Sequence, residues 1–209
     1  MLPKSPAPET SDGRECIRDP SSCMRSWNIS NLGVPGQPGF ASLCLSNPEM
    51  RQYMINHALE KLRWDAKNLG GVQLLDLADN DATDDGLCHC AKCVAHRERD
   101  RAALPCASKP GGCGSYGLTA EKYRGASGLS LEVGSMLKGA IAKEFPDVDV
   151  WIQSYHAQLS PPLLTRPKNG VKVQFTTLHQ NFGQPLQHSS NNVTYDQLIG
   201  WTKIMPQVL

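Results

Sequence analysis

VDVWIQSY, residues 148–155, is the stretch on which the fold turns: it reads as a strand delivered by a helix. The helix runs over Gly128–Phe145, where Leu129, Val133, Met136, Leu137, Ala140 and Ile141 make one apolar face. Pro146 stops it, because proline has no N–H to donate and its ring clashes with the preceding turn. Downstream, a Pro-rich connection leads to a third strand, Val171–Thr177 (VKVQFTT), and then to a short helix over Tyr195–Ile204. Upstream, Val72–Leu77 is a short apolar run that reads as the first strand. Before it lies a helix capped by Ser46 or Asn47, with Pro48 at its first position and Glu49 in its first turn. Met50, Met54, Ala58 and Leu62 give that helix a core-facing stripe, and glycines near Asn68–Gly71 allow a left-handed end. The order is helix, strand, helix, strand, strand, helix. The strands read as buried on both faces, which favours a parallel sheet covered by helices, the α/β class.

The chain has 209 residues and is 40% hydrophobic, enough for one domain with a real core. Residues 1–40 are rich in Pro, Gly, Ser and Asn and read as an irregular segment, leaving 41–209 as the folded domain. With 21 basic and 20 acidic side chains, the net charge of +1 gives no electrostatic case for nucleic acid. No apolar stretch approaches the roughly 20 residues of a membrane span. The N-terminus has no apolar signal region, whereas eight cysteines suggest an oxidising, extracytoplasmic compartment or a metal site.

From about residue 79 to 127 the chain makes one long loop, with a single short helix at Ala91–Ala103. Loops beyond roughly 12–15 residues are commonly functional, and this one follows a strand, where α/β folds put their sites. Cys88, Cys90 and Cys93 give C-x-C-x-x-C, in which the last two have the knuckle spacing of a tetrahedral metal site. A closed zinc site needs a fourth ligand, and His89, His96, Cys106 and Cys113 are the candidates. Disulfides are the rival, with Cys106 and Cys113 as local partners and Cys16, Cys23 and Cys44 pairing elsewhere; free or redox thiols are the third alternative. In each case the cluster shapes the loop rather than performing chemistry.

The blocks CLSNPEMRQYM, ADND followed by CHCAKC, SYHAQLSPP, VKVQF and GWTKI occur in that order. Over about Leu43 to Leu209 the chain resembles the family catalogued as domain of unknown function 4838, whose members look like TIM-barrel carbohydrate-active enzymes. The resemblance implies a (β/α)-barrel and a saccharide-related role. A whole barrel takes about 250 residues, so the expectation is part of one, with Val208 and Leu209 opening a further strand.

On that reading Asn80 and Asp81 stand just after a barrel strand, and Tyr155 ends the next. A glycosidase needs two carboxyl groups across the scissile bond. Asp81 is the candidate acid or nucleophile, and Asn80 a hydrogen-bonding partner for a sugar hydroxyl. The alternatives for these residues are a helix cap, an Asx-turn, a solvated acidic loop or an oxygen-rich calcium loop that lacks EF-hand spacing. Tyr155 can stack on a pyranose ring, and His156 and His179 can face the same mouth. Against these stand ordinary core packing and satisfied loop histidines. Where the family pattern leads one to expect an acid, this chain has His179, which favours binding without turnover. The expectations are therefore a glycoside-hydrolase-like domain acting on a glycan or polysaccharide, a catalytically silent carbohydrate-binding module, or a zinc-stabilised interaction domain. Serine-hydrolase, P-loop and Rossmann motifs do not occur.

Overall fold

A computed structural model describes residues 43–71, 73–77, 87–103, 125–155, 158–177 and 180–205. Its elements are α1 (Pro48–Leu69), β1 (Leu74–Leu77), α2 (Ala91–Ala102), α3 (Ser127–Ile141), β2 (Asp149–Ser154), β3 (Lys172–Phe175), a 3-10 turn (Ser189–Asn191) and α4 (Asn192–Ile204). The expected order holds, and the described strands form a three-stranded parallel sheet in the order β1-β2-β3.

Local chemistry sets the helix ends. Asn47, not Ser46, caps α1: its side chain accepts from the amides of Glu49 (2.8 Å) and Met50 (3.3 Å), two groups with no partner inside the helix. Gly70 ends α1 at φ 77°, a left-handed conformation that costs glycine little. The last helix begins three residues before the expected Tyr195 because buried Asn191 organises the loop ahead of it. The Asn191 side chain accepts from the Asn181 amide (2.6 Å) and donates to the carbonyls of Asn181 and Pro185.

The core lies between one face of the sheet and helices α1, α3 and α4. Leu62, Leu131, Leu137, Ile141, Val150, Ile152, Val173 and Trp201 are buried together there. Their removal from water stabilises the fold by roughly 1.5–3 kcal/mol for each large side chain. Helix α3 sits tight on the sheet at Gly134, where a Cβ would stand 2.5 Å from Ile152 Cγ2 and 3.0 Å from Val171 Cγ2. The expectation of strands buried on both faces needs correction. β2 alternates half-buried and buried, and in β1 Leu74 and Asp76 are exposed while Leu75 and Leu77 lean on the core. Successive strand side chains point to opposite faces, and among the described residues the helices of the core cover one of them.

Candidate metal centre

A second, smaller cluster joins the approach to α1, the start of α2 and the first turn of α3 through Cys44, Cys93 and Leu129, with Leu45, Cys88 and Cys90 packed against it. Here the sulfurs of Cys44, Cys88, Cys90 and Cys93 all lie within 4.8 Å of one another. None of the four is in a disulfide, and Cys44 and Cys93 are buried.

The backbone brings them together in two pieces. Cys90 is the N-cap of α2, and its sulfur accepts from the Cys93 amide at 3.4 Å, which closes the knuckle. Arg97, one turn further along, donates to the Cys88 carbonyl at 2.8 Å and folds the preceding residues back over the helix. Cys44 arrives from the other piece, in a turn where the Asn47 amide donates to its carbonyl. Its sulfur is 3.5 Å from Cys90 Sγ and 4.0 Å from Cys93 Sγ. Tetrahedral zinc with bonds of about 2.3 Å sets its sulfurs about 3.8 Å apart, so these separations fit the ion and are far beyond a disulfide bond. Ser46 Oγ, spared from capping α1, lies 3.1 Å from Cys93 Sγ and 3.4 Å from Cys90 Sγ, in reach to hydrogen-bond thiolates.

The thiols do not ionise alike. Hydrogen bonds from Cys44 and Cys88 hold the Cys93 thiol far below its ordinary range, making it the first thiolate. Hydrogen bonds with Cys44 and Cys93, and then burial, push Cys88 the opposite way. At Cys44 a bond with Cys88 favours the thiolate, but the bond with Cys93, burial and the Cys93 charge outweigh it and raise the group to about 12. Crowded thiols resist ionising together, and a bound cation removes that repulsion.

Of the sequence candidates, Cys88, Cys90 and Cys93 are thus brought together, and the fourth thiol is Cys44, not His89 or His96. Cys106 and Cys113 lie outside the described residues, as do Asn80, Asp81, His156 and His179. Tyr155 is half-buried directly after β2, its carbonyl accepting from the Gln158 amide at 2.9 Å.

Fold and site together define a mixed α/β domain with a parallel sheet and a four-cysteine cluster able to hold a metal ion. A family model described as a domain of unknown function (DUF4838) matches residues 30–209, and the chain belongs to that family. No curated protein and no solved structure matches the chain. No described helix is long and apolar enough to cross a membrane.

Proposed function

We propose that this chain is a zinc-braced β/α domain directed at a glycan, which meets the sheet edge where the strands end. The observation that carries the reading is the parallel register. Leu77 pairs with Ile152 and Ser154 with Phe175, so the segments after all three strands leave from one edge. Asn80, Asp81, Tyr155, His156 and His179 follow those strands by no more than four positions. Parallel α/β folds build their sites on that edge. The family resemblance, with its TIM-barrel expectation, supports a saccharide as ligand.

Within this reading Asp81 serves as the acid or nucleophile, Asn80 and the histidines hold hydroxyls, and Tyr155 offers a stacking face. Four thiolates fill a tetrahedral ion and leave no open position, so the zinc braces the loop after β1 rather than activating water. His179, at a position where an acid is expected, favours a second reading in which the glycan is held but not cleaved.

The test is release of reducing sugar by the full chain from cellulose, xylan, chitin and pectin, alongside retention on the same polymers. Turnover that falls by at least about 10²-fold in Asp81→Asn supports the enzyme. Retention without turnover supports the binding module. Neither turnover nor retention would end the glycan reading.

A further inference from the structure

We propose that a cleft between α2, α3 and residues 164–169 binds an oxyanion: the sulfate, phosphate or carboxylate group of a small ligand. The cleft encloses about 580 Å³. Arg51, Arg99, Arg166 and Lys168 line it with one carboxylate, Glu132, and the ring of His96. On a chain of net charge +1 this is a local concentration of cations. A concave wall in which four cations outnumber one carboxylate focuses its field on an anion.

Three of the four cations are left without a carboxylate among the described residues. Glu132 engages Arg51 at 3.0 Å and stands 3.7 Å from His96 Nε2. Among the described residues, Arg99, Arg166 and Lys168 have no carboxylate partner. Burial, and then the neighbouring Arg99, hold His96 below its ordinary range. His96 Nδ1 is buried with no hydrogen-bond partner and lies against Gly128, where a Cβ would stand 2.8 Å from the ring.

The walls are set in advance. Buried Asp100 on α2 accepts from the Leu163 and Leu164 amides (3.0 and 2.8 Å). On α3, Ser135 Oγ accepts from the Lys168 amide at 3.0 Å, and its carbonyl accepts from Asn169 Nδ2 at 2.8 Å. Arg166 is held by donating to the carbonyls of Leu163 and Thr165 through one nitrogen, Nη1, which leaves the rest of its fork to meet a ligand. A site whose groups are fixed beforehand loses less entropy on binding.

Small anions test the cleft without any polysaccharide. Sodium sulfate, phosphate and glucuronate are titrated into the ¹⁵N-labelled full chain at constant ionic strength. The expected result is saturable amide shifts confined to residues 96–99, 132–136 and 164–169 for at least one ion. Sulfate and phosphate without glucuronate identify a tetrahedral group, and the reverse a carboxylate. Arg99→Gln/Arg166→Gln should weaken binding at least about tenfold, whereas Arg63→Gln/Lys67→Gln on α1 should not. Should the first pair lose amide dispersion, Lys168→Glu is read in its place with the same expectation. Shifts that never saturate, or that persist equally in the cleft variant, overturn the proposal.

Discussion

Cys44 and Ser46 are close neighbours in the chain, and the structure gives both a task that neighbouring residues conceal. Ser46 stands where a helix cap is expected, yet Asn47 caps α1 and the Ser46 hydroxyl turns to the sulfurs of Cys90 and Cys93. Removing a thiolate from a closed four-sulfur site leaves an open, weakened one. Cys44→Ser is therefore expected to lower zinc affinity at least about 10²-fold, and Ser46→Ala about tenfold, the range usual for groups that orient ligands. Competition against a chromogenic zinc chelator reads both, with Cys106→Ser as the control that leaves affinity unchanged. Equal losses for Cys44 and Cys106 variants would mean that the fourth sulfur has been misassigned. The knuckle was legible in the sequence because its spacing is local. Cys44 was not, because only the folded meeting of the α1 approach with α2 puts it there.

At the scale of elements, helix existence was legible from apolar spacing and cap residues, and α1 and α2 begin and end close to where their sequences signal. What spacing does not show is how closely one element rides on another. Gly134 in α3 carries no turn signal, but its missing side chain lets the helix settle on Ile152 and Val171. Gly134→Ala adds up to about 1 kcal/mol of helix propensity. It also forces a methyl group into contact with Ile152 Cγ2, an overpacking that costs about 1–3 kcal/mol. Net destabilisation is expected in urea unfolding, and a more stable variant would show that the helix can lift away freely. The apolar run forms strand β1 as its sequence signals, but its burial on both faces does not follow, because an apolar composition does not say which face is covered. Leu75 and Leu77 reach the core, whereas Leu74 faces out.

Among the described residues the buried side chains fall into two clusters, and α3 belongs to both: Leu131, Leu137 and Ile141 join the sheet core, while Leu129 joins the cysteines. Among the described residues, helix α2 contributes only to the cysteine cluster. Its first turn is tied by Cys90 and Cys93 to Cys44, and its middle carries His96 and Arg99 into the cationic cleft. If zinc closes the thiol cluster, the metal holds the cleft's wall at a distance, alongside Asp100, which is tied to the Leu163 and Leu164 amides, and His96, which stands beside Glu132 of α3. Ligand affinity scales with the fraction of molecules in the competent arrangement, so docking α2 only one tenth of the time weakens binding about tenfold. Stripping the metal from the full chain under reducing conditions should therefore weaken oxyanion binding by about that factor. The amide signals of β2, buried against the other cluster, should stay where they are. Adding zinc back should restore the affinity, and in Cys44→Ser it should not. An affinity indifferent to chelation would mean that Asp100 and the packing on α3 suffice to hold α2, and that the metal braces only the loop before it.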